Sequence, residues 1–124
     1  MTATIGFVLA GIIAAGIVII GARFFYSPYA AASGYGVSVM PRPGWDAYLS
    51  VKGVRDIVSG IIGLILIANK SASLLAWFML AAMIIPITDM AIVLRHRGPR
   101  AIAYGVHGTT ALLMLVDSML LLVQ

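Results

Sequence analysis

Val51 to Gly63 reads V-K-G-V-R-D-I-V-S-G-I-I-G, with two cations and an acid set in a segment that is otherwise apolar. At about 100° per residue on a helix, Lys52, Arg55, Asp56, Ser59, Gly60 and Gly63 share one side, and Val54, Ile57, Val58, Ile61, Ile62 and Leu64 cover the remainder. One face is polar and small, the other aliphatic. An ionised side chain in the core of a bilayer costs about 3 kcal/mol on insertion scales, so the polar face has to turn toward protein and meet partners on other helices.

The rest of the chain identifies the solvent as lipid. Of 124 residues, 62% are hydrophobic and 10% charged, and the mean hydropathy is +1.09, whereas a soluble domain is about half apolar and a quarter charged. The longest stretch outside the apolar segments, Phe24 to Ser50, is too short to bury a core of its own, so residues 1–124 are expected to form one integral membrane domain. Cysteine is absent, which excludes disulfides and thiol relays. Glutamate is absent too, and carboxylate-bridged di-iron bundles draw on several glutamates. No cofactor and no metal are expected. Asp56, Asp89 and His107 lack ligand spacing and Arg55 competes for the carboxylates, while His96 and His107 differ in depth by about 10 Å, poor geometry for two ligands of one haem.

Outward from the opening stretch, four spans are expected, at about 5–24, 48–68, 72–94 and 101–123. Ile5 to Ala22 is uncharged and gives about 27 Å of helix, close to the thickness of a hydrocarbon core. No Lys or Arg precedes this run, and it exceeds a usual signal-peptide core, so it reads as a span and not a cleaved signal. Gly6, Ala10 and Ala14, and again Gly11 and Ala15, are four apart, a spacing that lets helix backbones approach and fits packing within the chain or between copies. Ser27-Pro28 starts a short interfacial helix that Gly34 is placed to end after Ser33, and Tyr35 to Gly44 is expected as a loop. Asn69-Lys70-Ser71 makes spans two and three antiparallel neighbours. Pro86 lies three residues before Asp89 and frees a carbonyl near it. The fold class is therefore all-α: a four-helix transmembrane bundle, up-down-up-down, with the interfacial helix between spans one and two.

In that alternation Arg23, Arg42, Lys52, Arg55, Arg95, Arg97 and Arg100 fall on one side and Lys70 alone on the other, so both termini are expected outside and the basic loops in the cytoplasm. A bacterial inner membrane is the expected location. The cations are accounted for by topology and by membrane lipids as partners, which leaves no nucleic-acid reading. Asp89 lies about 9 Å and His107 about 10 Å below the cytoplasmic boundary, and Asp56 enters from the same side. One polar layer results. Its candidate catalytic residues are Asp56, Asp89 and His107, and its candidate binding residues are Arg23, Lys52, Arg55, Tyr35, Tyr48 and Thr110. Asp117 is too near the other end to join it, and is either a separate interhelical contact or an exposed acid.

The runs G-A-R-F-F-Y-S-P-Y-A-A-A-S-G-Y-G-V (Gly21 to Val37), D-A-Y-L-S-V-K-G-V-R-D (Asp46 to Asp56), I-P-I-T-D (Ile85 to Asp89) and H-G-T-T-A (His107 to Ala111) resemble a family of small four-helix membrane proteins, domain of unknown function 4267. The resemblance covers nearly the whole chain and supports the fold, and it brings no activity with it. In architecture alone the chain is similar to the DoxX-like proteins.

Three functions compete for the layer. Arg55, Asp56 and Asp89 can form an ion-pair network that only fixes helix register. Alternatively, Asp56 or Asp89 moves a proton with His107 as counterpart and Arg23 or Arg55 holding an oxyanion, a redox-independent isomerase, cyclase or hydrolase acting on a lipophilic ligand. In the third, Asp89 is the titrating carboxylate of a small proton-coupled transporter. Small multidrug exporters carry their essential acid in the first span, and Ile5 to Ala22 has none.

Overall fold

An apolar run satisfies its backbone donors and acceptors internally as a helix, and helix is the conformation of most of this chain. The computed structural model describes residues 1–123, and Gln124 lies outside the described residues. The elements are α1 (Thr2–Tyr26), α2 (Pro28–Tyr35), α3 (Trp45–Ala68), α4 (Ala72–Ala82), α5 (Ile84–Arg95), α6 (Arg100–Ile102), a π-helical segment (Ala103–Gly108) and α7 (Thr109–Leu122). Three helical runs are long and apolar enough to cross a membrane: Thr2–Tyr26, Ala72–Arg95 and Arg100–Leu122. The 24-residue α3 matches them in length and carries Lys52, Arg55 and Asp56.

The interior is built from small residues. A β-carbon on Gly53 would lie 2.6 Å from the Gly21 carbonyl, and one on Gly60 would lie 2.6 Å from the Ala14 carbonyl, so α1 and α3 touch backbone to backbone, antiparallel. The helix α7 runs antiparallel to two others. Against α4, the Ser118 hydroxyl donates to the Ala76 carbonyl at 3.0 Å; against α1, Thr2 Oγ1 donates to the Val123 carbonyl at 3.3 Å and Gly6 faces Leu121. Large aliphatic and aromatic side chains point outward instead, with Ile12 66%, Leu112 60% and Trp77 58% exposed. A surface this greasy around an interior this small is what a lipid solvent permits. The Gly6-Ala10-Ala14 stripe is buried within the chain, whereas Ala15 of the second stripe is exposed.

Three irregularities matter for the site. The helix α2 continues two residues past its expected end at Ser33: Gly36, with φ +108°, closes it, its N–H reaching the Ser33 carbonyl while Val37 N–H reaches the Ala32 carbonyl. That pair is a Schellman cap, which needs a left-handed residue after the helix, and Gly36 rather than Gly34 occupies that position. The run Ala72–Arg95 is interrupted at Met83, one turn before Pro86, which has no N–H to give to the Ala82 carbonyl. Finally, the last run winds as a π-helix from Ala103 to Gly108, which no feature of the sequence reading anticipated.

Candidate functional site

Tyr35 joins the helices of the site. Its position follows from the α2 cap: Gly36 has no side chain where Val93 and Ile102 press against it, so the end of α2 docks on α5 and α6. The Tyr35 hydroxyl then donates to Asp89 Oδ1 at 2.9 Å, and the Tyr35 carbonyl lies 2.8 Å from His107 Nε2. A carbonyl only accepts, so Nε2 carries the hydrogen, and in the neutral tautomer Nδ1 is an acceptor. That Nδ1 lies 3.9 Å from Asp89 Oδ2, beyond hydrogen-bond reach. The Tyr35 and His107 rings meet edge to face, centroids 4.8 Å apart. Burial, and after it the neighbouring Asp89, push the Tyr35 phenol above the usual tyrosine range.

The π-helical segment places His107. A wide turn accommodates one more residue than an α-helical turn and re-aims the side chains it carries. Two glycines, Gly105 and Gly108, lie within it, and both are poor α-helix formers. Thr109 Oγ1 donates back to the Tyr104 carbonyl, five residues earlier, at 3.3 Å.

On α3 the buried acid Asp56 accepts from Lys52 Nζ at 2.9 Å, one helical turn away. The Lys52 ammonium also lies 5.3 Å from the centre of the Phe24 ring and 5.0 Å from that of Tyr35, within cation–π range. Arg55, the expected partner of the acids, is exposed on the outer flank of α3, and so is Tyr48 at 77%. Neither lines the site. The inward face of α3 is set by Gly53, Asp56, Gly60 and Gly63, and Gly53, left out of the polar face read from sequence, turns the centre of that face about 120° away from Arg55 at 100° per residue. Tyr48 shares the Arg55 edge.

Arg23, Tyr35, Lys52, Asp56, Asp89, His107 and Thr110 therefore line one cavity of about 380 Å³, within the range of small-molecule sites. Its polar residues gather at one end. The walls are apolar, from Ile13 and Ile17 of α1 to Met79 of α4 and Met114 of α7. Several lining residues are also exposed on the outer surface, among them Ile12 and Ile20 of α1 and Ile85, Val106 and Leu113, so the mouth opens on the flank between α1 and the later helices. At the far end Ala10, Leu75, Ala76 and Leu121 pack with Met79 and Met114 and close the cavity off. Sequence reasoning put Ser59 on the polar face of α3 without naming it a binding residue, and missed Met79, Met114 and the role of Gly36. The Lys52-to-Asp56 spacing of four was a legible signal for their pairing.

Among the described residues no group of three or more His, Cys, Asp or Glu side chains is arranged to hold a metal ion. Asp117, outside the cavity, is fully buried on α7, and neither carboxylate oxygen has a hydrogen-bond partner among the described residues. It is thus not an exposed helix-end acid.

Helices of membrane length, a small-residue interior and a flank-opening cavity with a polar end define the class of this protein. Residues 14–121 match the family described as Domain of unknown function (DUF4267), and the chain belongs to that family. No curated protein and no solved structure matches it.

Proposed function

We propose that the protein is a four-helix membrane bundle of alternating crossings, with α3 as the second, that admits a lipophilic molecule from the bilayer and works on its polar end by acid-base chemistry. The termini lie outside and the basic loops in the cytoplasm, as the distribution of arginines supports. His107 Nδ1 is the base, Asp89 holds it in charge balance when it takes a proton, and Tyr35 fixes both. Lys52, tied to Asp56, supplies the positive field at the same end. The observation that carries this reading is the cavity, apolar along its walls and polar at one end, with aliphatic residues at its mouth. The packed cluster of Ala10, Leu75, Ala76 and Leu121 closes the bundle beyond the apolar end of the cavity, which favours a bound substrate over a path through the bundle.

The test is photolabelling. An alkyl chain bearing a diazirine, dissolved in phosphatidylcholine vesicles with the reconstituted protein, is expected to modify Met79 and Met114, which line the cavity and are 1% and 6% exposed. Thr110→Phe, which fills the polar end, is expected to abolish that labelling. Label confined to outward residues such as Ile19 and Leu112 would overturn the proposal.

A further inference from the structure

The sense of each hydrogen bond at the polar end specifies what a ligand has to bring. The hydroxyl and imidazole donors beside Asp89 are already spent on protein, and the cations Arg23 and Lys52 also line the cavity. Tyr35 gives its hydroxyl hydrogen to Asp89 Oδ1, Thr110 gives its own to the Val106 carbonyl at 2.7 Å, and Ser59 gives its own to the Arg55 carbonyl at 2.9 Å. His107 gives Nε2–H to the Tyr35 carbonyl, and Lys52 is engaged by Asp56 and two aromatic rings. What remains turned to one another are two acceptors, Asp89 Oδ2 and His107 Nδ1, 3.9 Å apart. A single donor atom about 2.8 Å from each fits over that separation.

We infer that the ligand's polar end is a nitrogen bearing at least two hydrogens, a primary amine or ammonium on an aliphatic tail, bridging Asp89 Oδ2 and His107 Nδ1. A hydroxyl has one hydrogen and satisfies one of the two acceptors. A carboxylate has none to give to that pair and meets Asp89 there as a like charge. Charge points the same way: Lys52 balances Asp56 at 2.9 Å, while Asp89 has no Lys or Arg within ion-pair distance among the described residues, so an ammonium completes its balance. The tail then runs along Ile17 and Met79 toward the mouth at Ile12 and Leu113.

This rests on the reading of the cavity as a lipophilic site, and competition separates the two. With the diazirine probe at Met79 and Met114, 1-dodecylamine is expected to compete about tenfold more strongly than 1-dodecanol, the factor one charge-assisted hydrogen bond supplies, and dodecanoic acid more weakly still. In Asp89→Asn the preference for the amine over dodecanol is expected to vanish. His107→Gln, which keeps an amide donor near the Tyr35 carbonyl, is expected to reduce the preference without removing binding, and covers the case in which Asp89→Asn fails to fold. Equal or better competition by dodecanol or dodecanoic acid overturns the inference and leaves the cavity reading standing. Absence of label at Met79 and Met114 overturns both.

Discussion

Tyr35 is held at both ends, its hydroxyl on Asp89 and its carbonyl on His107, which makes it the residue through which α2, α5 and the π-helical segment report on one another. Its raised phenol has a measurable consequence. In a spectrophotometric titration Tyr35 is expected to ionise above the usual tyrosine range, and Tyr35→Phe is expected to delete that late component. Because the folded state favours the neutral phenol, its contribution to stability is full below about pH 10, the ordinary tyrosine value, and drains away as pH climbs through the higher folded value. At His107 two substitutions part company. His107→Ala strands the buried Tyr35 carbonyl and is expected to lower stability by about 1–3 kcal/mol in thermal unfolding, whereas His107→Gln retains a donor and is expected to lose less. That Asp56, Asp89 and His107 gather in one layer was legible in the sequence, because ionisable groups in an apolar run have few places to go, and all three line the cavity. The pairing of Asp56 was not, since it turned on whether Gly53 counted toward the inward face, and a glycine has no side chain to declare its side.

At the scale of elements, the contact between α1 and α3 sets the registry of the polar end, because Gly53 lies beside Lys52 and one turn before Asp56 and Ile57. Gly53→Ala would put a methyl 2.6 Å from the Gly21 carbonyl and 2.8 Å from Phe24 Cβ, and overpacking of that kind costs about 1–3 kcal/mol. Gly16→Ala on α1, with nothing within 4 Å of the added carbon, is expected to be neutral or slightly stabilising, since alanine is the better helix former. The difference between their melting temperatures is the readout. The long helices were readable to within about three residues at each end, the usual scatter at helix boundaries being similar. Hydropathy fixes length well. The π-helical segment was not readable, because it depends on how α5 and α7 must pack around His107 rather than on any residue pattern within Ala103–Gly108.

Over the whole molecule, the proposed orientation is testable because the chain has no cysteine of its own. Single variants Ser38→Cys, in the loop after α2, and Ser71→Cys, in the turn after α3, are expected to react with a membrane-impermeant maleimide from opposite faces of sealed vesicles, Ser71→Cys from outside. Labelling of both from one face would break the alternation. The division of the molecule into a closed half and a half with a cavity was not legible in sequence, since residues of the same type part company there, Ala14 lining the space and Ala10 packing in the closed cluster.

Asp117 sits in the closed half, both oxygens unpartnered among the described residues and Gly6 of α1 directly opposite. A carboxylate so placed gains hydration only when α1 and α7 part, so the seam between them is where the protein should first come undone after extraction into micelles. Asp117→Leu removes that incentive, and is expected to lengthen the half-life of the solubilised protein while leaving the cavity untouched.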